Sequence, residues 1–194
     1  KAETNCSGRT HFKKIKGSTA LLWTRKFISP SGIILLDISN GTPEHEKYWH
    51  IDFGRSFWFS ENHKYLYGAY GNVFNIPNFK TGPDILPLGE LERYMSTNYM
   101  DHCAETNSIW VAPNNFWDEE QSANRYHAED YHLIKSFKIA NYATTINGIK
   151  DYSKTIPYYI LSDKAGKNVF VIQNVFIDFY DNADAWGIET LTFD

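Results

Sequence analysis

Short β-prone runs, broken at close intervals by turn residues, constrain this chain more than any other feature. The segments 20–29 (ALLWTRKFIS) and 33–39 (IILLDIS) flank Pro30-Ser31-Gly32, which predicts an antiparallel hairpin. Asn147-Gly148 between Ile146 and Ile149 is the strongest short hairpin signal in the chain. The aromatic run 47–59, KYWHIDFGRSFWF, is interrupted at Gly54-Arg55, which puts a bulge or turn between two short strands. Segments 64–70 and 73–76 continue the pattern. In 155–161, Pro157 argues for an edge strand. In 168–180, Val169, Val171, Val175, Ile177 and Phe179 alternate with more polar residues, the mark of a long strand with one buried face. No regular helices separate these runs, so a parallel βαβ fold is excluded.

Two segments carry a helical signature. Leu88, Leu91, Met95 and Tyr99 recur at helical spacing, with Glu90 and Glu92 near the start, where the helix dipole favours acids. Segment 118–128 (DEEQSANRYHA) is polar and acidic and reads as a surface helix or helical loop. The expected fold class is therefore α+β and β-rich: mainly antiparallel, sandwich-like sheets with one or two helices. The 194 residues fit a single globular domain, 1–194. Its prolines and glycines make 77–89 a long irregular connection.

Thirteen Phe, 13 Tyr and six Trp supply a large core for a chain of this length. The net charge of -4 excludes a nucleic-acid binder, which needs a basic stripe against phosphates. The apolar runs are too short to span a bilayer. The chain opens on Lys1, which fits a removed signal peptide or a trimmed start equally.

Cys6 and Cys103 lack the close spacing of a zinc pair. Cys6 sits in a polar segment that gives a buried thiol no apolar setting, so a Cys6–Cys103 disulfide is expected. It would contribute about 4 kcal/mol by closing a long loop. That bond places the chain in an extracytoplasmic compartment, secreted or periplasmic. Asn5-Cys6-Ser7 and Asn40-Gly41-Thr42 are sequons, and Asn40-Gly41 is also a turn signal, so Asn40 should be exposed.

Common catalytic signatures are absent: no Gly-x-Ser-x-Gly elbow, phosphate loop, His-Glu-x-x-His or Cys-x-x-Cys occurs. Two polar clusters remain. His127, Glu129, Asp130 and His132 offer imidazoles and carboxylates for metal binding or acid–base chemistry. His127 and His132, however, are five apart and point away from each other on either a helix or a strand. Only a corner between elements would bring them together, so a polar element boundary is preferred and no metal is assigned. His50 and Asp52 are two apart and would share one strand face, where the carboxylate can orient the imidazole. The aromatic residues Trp49, Trp58, Tyr65, Tyr67 and Trp117 are candidates for an exposed contact surface, with acids at 118–120 beside Trp117.

The function expected from these features is non-enzymatic binding of a protein or glycan partner, for example by an inhibitor or immunity-type protein, with no cofactor and no nucleic acid. One alternative is a hydrolase of an unfamiliar family that uses either His/carboxylate cluster. Another is a structural subunit of a surface assembly, paired through strand edges.

Overall fold

The structure, a computed structural model, describes residues 12–16, 18, 20–25, 32–54, 56–76, 84–92, 96–114, 120–146, 149–175 and 186–193. The chain divides into two compact units, Lys1–Gly89 and Glu90–Asp194.

In the first unit, β1 (Phe12–Lys14), β2 (Ala20–Arg25), β3 (Gly32–Asp37) and β4 (Glu44–Trp49) form one antiparallel sheet in chain order. The hairpin expected around Pro30-Ser31-Gly32 is β2–β3, with Thr24 opposite Ile33. Gly54, at φ 71°, makes the turn between β4 and the next sheet. That sheet consists of β5 (Phe57–Phe59), β6 (Tyr65–Gly68), β7 (Asn72–Asn75) and β8 (Pro87–Glu90), again in chain order. Leu22, Ile33 and Leu35 of the first sheet share one core with Phe57, Leu66 and Phe74 of the second. Lys13 extends over this layer, its ammonium 5.7 Å from the rings of both Phe57 and Trp58. Burial pushes its pKa down to about 8.

In the second unit, β9 (Thr97–Cys103), β10 (Ser108–Pro113), β11 (Ser122–His127) and β12 (Leu133–Lys138) repeat the four-stranded meander. The hairpin β13 (Tyr142–Ile146) and β14 (Ile149–Ser153) follows, with Ile146 opposite Ile149 as the Asn147-Gly148 signal requires. Last come β15 (Thr155–Ser162), β16 (Asn168–Val175) and β17 (Trp186–Thr192), one sheet in that order. Pro157 does lie on an edge strand, at a bulge where the register shifts. Trp110, Ala112 and Ala123 pack with Ile160, Val169 and Val171, so the meander and the last sheet bury their apolar faces together. Among the described residues, three of the five sheets follow one plan, four strands each paired with its chain neighbour, the arrangement found in β-propeller blades.

The described residues contain no helix, and the fold class is corrected from α+β to all-β. The helical spacing in 88–100 is coincidental: Leu88 lies on β8 and Tyr99 on β9, and Leu88 is exposed while Leu91 is buried. In 118–128 the polar composition concealed a strand. Ala123, Asn124 and Tyr126 of β11 are buried, and Asn124 fills an interior place that polarity alone assigns to the surface.

Candidate functional site

The β11–β12 turn carries the densest chemistry among the described residues. His127 ends β11, His132 precedes β12, and Ala128 to Tyr131 form a four-residue loop. The His127 N–H donates to the His132 carbonyl at 3.0 Å, and the Tyr131 N–H donates to the His127 carbonyl at 3.1 Å. Tyr131 closes the turn in the left-handed region, at φ 64°. This conformation costs a non-glycine residue roughly 1 kcal/mol, and the surrounding hydrogen bonds offset it. Glu92 adds two of them, one from its own N–H to the Tyr131 carbonyl at 3.0 Å. The other runs from the Leu133 N–H to its carboxylate at 2.8 Å. The backbone is thus pinned on both sides of His132.

Residues flanking a four-residue hairpin loop are direct cross-strand partners, so their side chains leave the same face. The helix and strand geometries that separated His127 from His132 do not apply to a turn. The two imidazoles stack, with centroids 5.4 Å apart and planes 25° apart. Asp130 projects between them. Its Oδ1 lies 3.0 Å from His127 Nδ1 and 2.5 Å from His132 Nδ1. The hydrogen bond from His132 holds the Asp130 carboxyl below the usual carboxylate range; the fields of both imidazoles add to this, and partial desolvation opposes it. Among the described residues, His127, Asp130 and His132 are the group able to hold a metal ion, with ligand atoms all within 4.8 Å of one another. Glu129 is exposed and lies outside this group.

The other sequence candidates fall elsewhere. His50 packs edge-on against Tyr48, centroids 4.5 Å apart, while Asp52 accepts the Gly54 N–H at 3.0 Å in the turn after β4. Both residues lie beyond the end of β4, so the strand face they were expected to share is not formed. Trp49, Trp58 and Tyr67 are buried, Trp58 at 4% exposure, and Trp49 packs in the core that the two sheets share. Tyr65 is half-buried on β6. Trp117 and Cys6 lie outside the described residues. Asn40 is exposed in a turn, as its Asn-Gly step suggested.

The disulfide is not supported. Cys103 is a buried free thiol at the end of β9. Its sulfur lies 3.9 Å from the carbonyls of Asp163 and Lys164, beneath the β15–β16 turn, where it packs as a small apolar side chain.

The exposed aromatic surface lies instead on the outer face of the last sheet. Tyr159, Ile172 and Ile188 form one cross-strand row, and Leu161 and Phe170 pair in the next. Ile188 is 64% and Trp186 51% exposed, and Tyr158 meets Trp186 edge-on at 5.3 Å. Asn168, Asn174, Thr190 and Thr192 fill the remaining outward positions of β16 and β17, so these two strands present no charge on this face. Over 168–175 the alternation marks the buried valines correctly, while Ile177 and Phe179 lie outside the described residues. The missed signal is that Phe170 and Ile172, at the opposite parity, are also apolar.

No family model matches the chain, and no curated protein matches it. A solved structure does. The hydrazine synthase of Kuenenia stuttgartiensis superposes with a TM-score of 0.53 at 11% identity, covering 90% of this chain and 43% of that one. The likeness is one of fold. This chain spans less than half the length of its counterpart, and the residues of the β11–β12 turn stand on their own geometry.

Proposed function

We propose that this chain is a non-enzymatic binding domain that recognises a protein through the outer face of β15–β17. The supporting observation is an uncharged, aromatic and aliphatic face left open on β16 and β17. Three strands of this length present roughly 400 Å², the size of the largest apolar patch on an ordinary monomer, and such patches mark contact sites. Exposing Ile188, Trp186, Phe170 and Tyr159 together is costly unless something covers them. Trp and Tyr are enriched in interface hot spots, and here Tyr159 lies in the middle row and Trp186 at the end of the face. The middle row, Tyr159, Ile172 and Ile188, is aromatic and aliphatic, which favours a protein over a glycan, although Asn174 stands beside Trp186. The partner is therefore a protein with a flat apolar surface of its own. The extracytoplasmic reading rested on a disulfide that the fold does not support, and it forms no part of this proposal.

The test is site-specific photo-crosslinking in the organism that makes the protein. A photoreactive residue replaces Ile188 in one variant and exposed Lys135 of β12 in another. A discrete adduct at 188 that disappears on Phe170→Lys, with none at 135, is the expected result. Equal adducts at both positions, or none at 188, would overturn the proposal. So would a glycan ligand whose binding depends on Trp186 and not on Ile188.

A further inference from the structure

We infer that the β11–β12 turn is a binding site for a borderline divalent transition ion of the zinc class, held by His127, Asp130 and His132. Two imidazoles and one carboxylate form the three-ligand set that such ions take when the remaining position is left to water. Hard ions such as magnesium and calcium favour all-oxygen sites and are disfavoured here.

The geometry supports this set in three ways. The ligands converge, because both Nδ1 atoms already face one carboxylate oxygen, at 3.0 and 2.5 Å. A tetrahedral ion with bonds of about 2.0–2.1 Å holds its donors roughly 3.3 Å apart. With all ligand atoms within 4.8 Å of one another, side-chain shifts of about an ångström are enough. Asp130 and His132 are exposed and His127 half-exposed, so nothing packed around them resists those shifts. The backbone is also fixed beforehand: the cross-strand bond between His127 and His132 and the two bonds from Glu92 leave only side-chain torsions to be ordered.

In the metal-free turn, an imidazole bonded to the carboxylate donates through Nδ1–H. Metal at Nδ1 requires the other tautomer, with the proton on Nε2 and a lone pair at Nδ1. A neutral ring binds with no net proton loss; its proton moves from one nitrogen to the other. This switch distinguishes ligation from nonspecific adsorption.

Cobalt(II), a spectroscopic stand-in for zinc, would be titrated into the intact chain, and the imidazole nitrogens followed by NMR with zinc. The expected result is visible ligand-field absorption that saturates at one equivalent. His127 and His132 should both switch to the Nε2–H form. His127→Ala and His132→Ala should each weaken binding at least tenfold, and Asp130→Asn less. All three positions are at least partly exposed, and circular dichroism checks that the variants fold. If a variant does not, the tautomer switch in the unmodified chain decides alone. Unshifted imidazole signals at saturating zinc would overturn the inference, as would cobalt binding that survives both histidine substitutions.

Discussion

Two turns in the second unit are each organised by a carboxylate, and they use it differently. At the β15–β16 turn, Asp163 accepts the Lys167 N–H at 2.9 Å, the Asn168 N–H at 3.1 Å and the Asn168 side-chain amide at 2.6 Å. At the β11–β12 turn, Asp130 accepts mainly from two imidazoles. Both carboxyls are held below their ordinary range, Asp163 chiefly by Asn168 and Asp130 chiefly by His132. Asp163 is satisfied by groups the fold itself supplies, which cannot leave without opening the turn. Asp130 is satisfied by side chains that can turn toward another ligand. A low carboxyl pKa alone therefore does not separate a structural turn from a functional one. The identity of the donors does.

The largest effect that would sharpen this comparison is expected at Gly166. It sits at φ 67° in the β15–β16 turn, and a Cβ there would overlap the Thr106 side chain and lie 3.0 Å from Cys103 Sγ. Left-handed strain and overpacking together cost about 2–4 kcal/mol, so Gly166→Ala should lower the melting temperature of the second unit by on the order of 10 °C. A shift below about 2 °C by calorimetry would mean that the turn is loose and its rigidity overstated. Asp163→Ala comes next, and its effect depends on pH. A carboxyl with a folded pKa below its unfolded value of about 3.9 contributes stability that is complete above about pH 4 to 5 and is lost as the pH falls through the folded value. Melting curves of the parent and the variant should differ at pH 7 and converge in acid. Parallel curves down to pH 2 would remove Asp163 from its structural role. Cys103 reports on the same turn: alkylation should be slow in the parent and at least tenfold faster in Gly166→Ala, because the thiol is reached only when the turn opens.

Much of this fold was legible in the sequence, for local reasons. Pro30-Ser31-Gly32, Asn147-Gly148 and Gly54 have backbone preferences that act within a few residues, and each marks a real connection. Pro157 foretold an edge strand because a missing N–H is tolerated there. The failures arose where periodicity was read without tertiary context. Leu88, Leu91 and Tyr99 matched a helix by chance across two strands, and buried Asn124 disguised β11 as a surface segment. Trp49, Trp58 and Tyr67 are expected at the surface because alternation exposes one face of a strand, but all three are buried. The histidine cluster is visible in the sequence but undervalued by it, because a spacing of five is unfavourable on any regular element. Only a hairpin with a four-residue loop turns that spacing into direct opposition, and loop length depends on where β11 ends.

The smallest expected effect separates the two turns most cleanly. Asp130→Ala should change the melting temperature of the metal-free protein by no more than about 2 °C, because the β11–β12 turn keeps its backbone bonds and both anchors from Glu92. With zinc at about a hundred times the dissociation constant, a ligand that binds only the folded state adds about 2.7 kcal/mol, and the parent should melt several degrees higher. Most of that gain should be missing in Asp130→Ala and all of it in the double variant His127→Ala, His132→Ala. Asp163→Ala should keep it in full, since its turn contributes no ligand. If Asp130→Ala instead loses as much metal-free stability as Asp163→Ala, the imidazole–carboxylate bonds are structural and the distinction between the turns fails. If stability is untouched and the zinc gain is lost, Asp130 is a group whose partners are exchangeable, and the β11–β12 turn is a site rather than a joint.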